Sequence, residues 1–415
     1  MPRIMFLIAR LSIVLARPGI LIVLSWFIGA DSAGSLGRLL VAIGIGMIVS
    51  AFDSGKIFYE SVCDVVPNNR LRELAFEQYT WRLLVTSVVG ICVTGALTIS
   101  WGFDGWATTL ACVFFVSERV IDERQRYLLV ESRTKDWSMM QLQRGSFQIG
   151  LTVIFMIILV PWRVSAPGWF ILPLLVANAT MLRHGWFIAR IRWIKSIAIE
   201  IQHARMAVSQ IQYNQMLWVS GLLGAMLGYT DKFLIAAWNT QMTAGLLIVC
   251  SCLAIQSMMV SVIFFTPRRG AIVRRKLSLR VLLSAAFVLP VLGGLLVASI
   301  AAVFAIQALP MEGRPSNVEV ALLALLATVS GIGGVIREVI YYRESGLRPV
   351  LIDAGGVIAI FVAANILMWI GAPIYAPIGA ACFFHAARIV AMCLPPAVTA
   401  YQSKPEVNKQ ITKLE

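Results

Sequence analysis

The sequence predicts an all-α polytopic membrane protein of about twelve transmembrane helices, each about 20 mostly apolar residues long. Three observations carry this. Hydrophobic residues make up 59% of the 415-residue chain and charged residues only 13%, where a soluble domain carries about 25% charged residues. The mean hydropathy is +0.81. The basic residues fall in six clusters, and a pair of long apolar segments separates each cluster from the next.

The clusters are Lys56 with Arg70 and Arg72, Arg119 to Arg144, Arg190 to Arg205, Arg268 to Arg280, Arg343 with Arg348, and Lys404 to Lys413. Lys and Arg collect in cytoplasmic loops because translocating them is costly. The pattern reads as a stack of hairpins that open to the cytoplasm. Of the 35 Lys and Arg residues, Arg38, Arg163, Lys232 and Arg314 fall on the outer side, and Arg10 and Arg17 fall within the first span. All the others lie on the inner side, which puts both ends in the cytoplasm.

In order, the spans are expected at 4–29, 37–55, 82–100, 106–124, 145–163, 169–189, 213–237, 244–266, 281–307, 319–342, 349–370 and 377–399. Arg3 before an apolar run resembles a signal peptide. The apolar stretch is too long and no small-x-small cleavage site follows, so it reads as the first span. The fourth span ends in a crowd of charges, Glu118, Arg119, Asp122, Glu123 and Arg124. The outer connections, such as Ala30–Leu36 and Trp101–Gly105, are short and rich in turn residues. None has room for an outer catalytic domain. On the inner side, Asp64–Thr80 is amphipathic, with Leu71, Leu74, Ala75 and Tyr79 on one stripe. It reads either as an interfacial helix or as a helix packed under the bundle.

The layout divides into a six-helix half over 1–200, a second over 201–400 and a tail over 401–415. A faint echo links the halves. Phe27-Ile28-Gly29-Ala30 restarts at Gly37-Arg38-Leu39-Leu40, and Phe233-Leu234-Ile235-Ala236 restarts at Gly245-Leu246-Leu247-Ile248. Repeats with an even number of spans run parallel, related by an axis along the membrane normal.

Several functions are excluded. The formal charge of +14 sits at the ends of apolar runs. It therefore reads as topology signal and contact with anionic lipid headgroups, not as a nucleic-acid surface. The seven cysteines include no CxxC pair, so neither a disulfide framework nor a zinc site is expected. No Walker A sequence, HExxH or serine elbow occurs, and no metal or cofactor is implied. His385 with Asn365 is the one pair an acyltransferase would have to use.

Ionisable residues inside spans are costly and often functional. Arg10 and Arg17 are seven apart in span one and share a helix face, with Pro18 directly after them. Span ten carries Gly331-Ile332-Gly333-Gly334 before Arg337. The glycines permit close approach or a break, and Arg337 reads equally as topology residue or ligand. Asp53 ends span two, Asp231-Lys232 sits in the outer part of span seven, and Asp353 opens span eleven beside Gly355 and Gly356. His385 and Arg388 are three apart on one face of span twelve.

Three stretches bring a resemblance. These are the turn from Phe27 to Gly37, the ending Ser50-Ala51-Phe52-Asp53-Ser54-Gly55, and Tyr229-Thr230-Asp231-Lys232-Phe233-Leu234-Ile235 followed by Ala244-Gly245. Together with the two-times-six layout, they resemble the polysaccharide flippases, the O-antigen and exopolysaccharide exporters of the multidrug/oligosaccharidyl-lipid/polysaccharide superfamily. Trp238-Asn239-Thr240-Gln241-Met242 departs from the family's Gly-Pro-rich turn. The resemblance implies a V-shaped cavity between two lobes and a substrate of undecaprenyl-pyrophosphate-linked oligosaccharide. It also implies ion-gradient driving, and a transporter in place of an enzyme. The partners implied are membrane lipids and the polymerase and chain-length proteins of polysaccharide assembly. Arginines bind pyrophosphate bidentately, so Arg10, Arg17, Arg337 and Arg388 are the expected substrate ligands. Asp53, Asp231 and Asp353 are the expected coupling carboxylates. A membrane polymerase, ligase or acyltransferase and a drug exporter of the same superfamily remain as alternatives. A drug cavity for organic cations favours acidic residues, whereas span one carries arginines.

The charge pattern makes a topological prediction. Fusions of a periplasm-active reporter are expected to be silent at Gln410 and active at Ser165 and Gly313. The reverse result would overturn the orientation.

Overall fold

The computed structural model describes residues 2–51, 86–130, 134–159, 167–182, 215–240, 242–260, 263–264, 284–344 and 347–394. These residues are almost wholly helical and contain no strand. Seven helices are long and apolar enough to cross a membrane. Asp53, the amphipathic stretch Asp64–Thr80, the boundary between the expected halves and the tail 401–415 lie outside the described residues.

The first half begins with α1 (Pro2–Ile28), which carries Pro18 without ending. Gly29 takes φ +91°, a left-handed conformation that closes α1. Helix α2 (Ala30–Ala51) starts on the next residue with Asp31 in its first turn, where a negative charge meets the positive end of the helix dipole. The expected outer loop at 30–36 is therefore helical, and the turn is a single glycine. Helix α3 (Thr86–Ser100) ends at Gly102, with φ +80°. Asp104 then caps α4 (Gly105–Val130) by accepting the Ala107 N–H at 2.6 Å. Helix α4 and α5 (Thr134–Leu159) extend well past their expected inner ends, so the charged segment Arg119–Arg144 is mostly helix. A 3₁₀ turn, Pro167–Ile171, leads into α6 (Leu172–Leu182).

In the second half, the expected seventh span is broken. Helix α7 (Gln215–Gly228) stops, and α8 (Thr230–Trp238) restarts after Tyr229. Asn239 closes α8 with φ 46°, and its N–H donates to Ile235 O. Helix α9 (Thr243–Val260) follows, then α10 (Ala285–Gln307). Arg314 donates back to the carbonyls of Leu309 and Gln307, both at 2.9 Å, which satisfies orphan acceptors at the α10 end. Ser316 and Glu319 form a reciprocal capping box at the start of α11 (Asn317–Glu344). Helices α12 (Leu347–Trp369) and α13 (Tyr375–Cys393) are the last of the described elements.

The seven long apolar helices are α1, α2 and α9 to α13. At the other expected spans, the described residues give α3, α6, α7 and α8. Helices α4 and α5 carry long polar stretches.

Several helix pairings recur in the same order in the expected first and second halves. In the first, α1 packs on α5, α2 on α4, and α6 on both α4 and α5. In the second, α7 packs on α12, α9 on α11, and α13 on both α11 and α12. The halves meet where α9 lies against α1 and α2. This makes α9 the central helix: 78% of it is buried, against 33% of the α10 window and 28% of the α12 window. One apolar core runs through the junction, with Leu24, Leu36 and Ile43 from one half and Leu246, Ile248 and Leu253 from the other. The outer helices instead expose apolar stripes at helical spacing. Leu289, Leu292, Leu296 and Ile300 mark one on α10, the surface a lipid-facing helix needs.

Small residues set the helix spacing. A Cβ at Gly37 of α2 would sit 2.6 Å from Leu247 of α9, and one at Gly46 would sit 2.8 Å from the Gly90 carbonyl of α3. The end that carries the short turns is also tied across the halves. Arg38 of α2 is buried and donates to Ala236 O of α8 at 2.9 Å and to Trp101 O at 3.3 Å. Its guanidinium lies over the Trp101 and Phe103 rings at 5.5 and 5.4 Å. The Trp26 indole donates to the Ala308 carbonyl.

Gly46→Ala is expected to lower stability by about 1–3 kcal/mol, because backbone on α3 must move. Gly150→Ala, with nothing within 4 Å of the new methyl, is expected to be neutral or stabilising by up to about 1 kcal/mol. Thermal unfolding of the purified protein in detergent compares the two.

Candidate functional site

The break in the seventh span builds the site. Tyr229 leaves helical geometry at φ −113°, ψ 6°, directly after Gly228. Its N–H still donates to Ala225 and Met226, and the Thr230 hydroxyl donates to Met226 O at 2.9 Å. Backbone groups at the break are thus satisfied locally, as an apolar surround requires. The Tyr229 ring rests against α2, where a Cβ at Gly44 would lie 2.9 Å from its Cε1. Asp231 and Lys232 follow in the first turn of α8. The ammonium lies 3.7 Å from Asp231 Oδ2 and 4.7 Å from the Tyr229 ring centre.

These residues line a cavity of about 320 Å³ between the halves. Arg17 of α1 enters it from the first half. Ser251 and Ser257 of α9 and Ser330 of α11 complete the polar wall. Depth follows from position along the helices. Arg17, Ser251 and Ala327 fall near the centres of the apolar windows Ile8–Ile28, Thr243–Val260 and Asn317–Arg337. The cavity therefore sits level with the middles of these three apolar windows. Asp231 and Lys232, in the outer part of the expected span seven, lie on the wall of this cavity. The helix break lets the pair turn into the bundle.

The four arginines proposed from sequence separate. The Arg17 side chain keeps 42% of its surface exposed and stands 3.9 Å from Glu118 Oε2. Arg10 does not join it at the cavity. Its guanidinium lies 5.2 Å from the Trp137 ring of α5, because α5 covers that side of α1. Arg337 and Arg388 are not at the cavity either. Both hold Asp353, which is fully buried: Arg337 Nε donates to Oδ2 at 2.6 Å and Arg388 Nη1 to Oδ1 at 3.0 Å. Asp353 is thus a shared counter-ion at the junction of α11, α12 and α13.

That arrangement explains the glycines of span ten. Helix α11 is unbroken through Gly331-Ile332-Gly333-Gly334. A Cβ at Gly333 would collide with the Arg388 guanidinium, and one at Gly224 of α7 with that of Arg337. These glycines make room for arginine head groups. His385 is fully buried one turn before Arg388, and neither ring nitrogen has a hydrogen-bond partner among the described residues. No group of three or more metal-ligating side chains occurs among the described residues.

Sequence reasoning missed Tyr229, the cavity role of Lys232, and Glu118. The available signals were Gly228 interrupting an apolar run ahead of Tyr229 and a carboxylate within the fourth span. No protein-family model, curated protein or solved structure matches this chain.

The two arginine environments behave differently on mutation. Asp353→Asn leaves two buried guanidiniums without their shared carboxylate and is expected to cost about 3–5 kcal/mol. Arg17→Gln removes a long, partly solvated ion pair and is expected to cost less than about 1 kcal/mol. Thermal stability of the two purified variants checks this.

Proposed function

We propose that the protein is a flippase that moves a lipid-pyrophosphate-linked oligosaccharide from the inner to the outer leaflet, and that it is a transporter rather than an enzyme. The observation that carries this reading is Arg17, a solvent-reached guanidinium in a cavity at mid-membrane depth between two halves. A pyrophosphate is costly in hydrocarbon, and Arg17 with Lys232 supplies two cations for it. The lipid tail stays in the bilayer while the head group crosses.

The common pairing order of the halves supports two parallel six-helix repeats and a twelve-span layout like that of the polysaccharide exporters. Such halves rock about a midplane site. The contacts made by Arg38 and Trp26 at the short-turn end support a resting state closed to the outside. The charge pattern supports cytoplasmic termini and a bacterial inner-membrane location. Asp231 is offset by Lys232, which leaves no unpaired described carboxylate on the cavity for an organic cation and disfavours drug export. Of the expected coupling carboxylates, Asp231 is the one on the cavity wall.

Deletion of the gene is expected to leave lipid-linked repeats on the cytoplasmic leaflet and to stop surface polysaccharide. Arg17→Glu, expressed at wild-type level, is expected to fail to complement, with at least about a tenfold loss of flipping in reconstituted vesicles. Normal polymer in the deletion strain would overturn the proposal. Polymerase or acyl-transfer activity without translocation would replace it with an enzyme.

A further inference from the structure

Glu118 of α4 is buried, and its two carboxylate oxygens differ. Oε1 accepts from the Arg144 guanidinium of α5 and from the Asn178 amide of α6, the latter at 2.9 Å. Asn178 is fully buried and is also held by Ser117 Oγ at 2.9 Å. Among the described residues, Oε2 faces Arg17 alone, at 3.9 Å. That separation is longer than a hydrogen bond. Three helices therefore fix the carboxylate by one oxygen and leave the other turned to the cavity arginine.

Among the described residues, two arginines share the one Glu118 carboxylate. Lys232 has Asp231. Arg17 must share Glu118 with Arg144. An anion reaching the cavity meets an arginine whose counter-ion is distant and already committed. A buried carboxylate stripped of all its partners would cost several kcal/mol. Arg144 and Asn178 remove that cost, so Arg17 can leave Glu118 without stranding it.

We propose that Glu118 is the counter-ion that Arg17 exchanges for a phosphate group of the ligand, holding the arginine in the empty site and reclaiming it on release. This rests on the reading of the cavity as a pyrophosphate site. Glu118 is a positioning residue here, since it lies behind Arg17 and not among the cavity-lining residues.

The test is calorimetric titration of the purified full-length protein with inorganic pyrophosphate at fixed ionic strength. Glu118→Gln keeps the shape and removes the competing charge, so affinity is expected to rise by about fivefold or more. Arg144→Gln frees Glu118 to bind Arg17 more strongly, so affinity is expected to fall by a similar factor. A merely structural ion pair would not give opposite signs. Arg17→Gln is expected to abolish binding. If wild type binds and Arg17→Gln does not, but Glu118→Gln binds no tighter, the exchange is overturned and the anion site stands. Should Glu118→Gln fail to fold, unchanged affinity in Arg144→Gln overturns the exchange. If wild type does not bind, or Arg17→Gln binds equally well, the anion site and the exchange fall together. Repeating the titrations with geranyl pyrophosphate separates the sources of the anion. Tighter binding than inorganic pyrophosphate supports a lipid-borne group, and equal binding overturns the lipid-borne ligand.

Discussion

Taking a guanidinium or carboxylate out of water costs several kcal/mol unless a partner replaces the lost hydration. The helices of this chain meet that constraint repeatedly, in different ways. Arg337 and Arg388 converge on Asp353. Arg144 takes Glu118. Arg38 has no carboxylate among the described residues and instead accepts the company of two carbonyls and two aromatic rings. Arg17 differs from these four, with a partner at 3.9 Å and 42% of its side chain open. Under the proposed function, that open surface is where an anionic head group meets Arg17.

The pairing constraint shapes the backbone as well. Arginine head groups are bulky, and Gly333 and Gly224 leave the space that Arg388 and Arg337 occupy. Glycines elsewhere serve helix approach: Gly37 lets α2 meet α9 and Gly46 lets α2 meet α3. Both uses follow from the absence of a side chain, but one is for polar pairing and the other for van der Waals contact.

Function depends on how the halves join. Their shared pairing order leaves α9 buried between them, and the cavity forms beside it where α7 gives way to α8. At the end that carries the short turns, Arg38 and Trp26 tie the described helices together. Under the proposed cycle these contacts must break for the cavity to open outward. Helix-terminal carbonyls and aromatic faces suit that purpose, because each bond is modest and re-forms without a buried charge being stranded.

Much of the fold was legible in the sequence because apolar length and basic flanks are local properties. Each expected span overlaps a described helix, seven of those helices are long and apolar enough to cross a membrane, and the glycine and asparagine that end α1 and α8 are ordinary turn residues. The helical state of 30–36 and the long extensions of α4 and α5 were not legible, since a polar helix and a polar loop differ little in composition. Partnership was beyond sequence altogether. Arg10, Arg17, Arg337 and Arg388 look alike as basic residues in or beside apolar runs, and Asp231-Lys232 looks like a surface pair. Which of them face water and which face a carboxylate depends on residues 16, 35 or 101 positions away, brought together only when the helices pack. Sequence by itself determined that the chain is a helical bundle with charges in its apolar runs. Tertiary structure decided which charges pair closely and which one stands at a cavity with a distant partner, because pairing in a low-dielectric interior is set by distance in space.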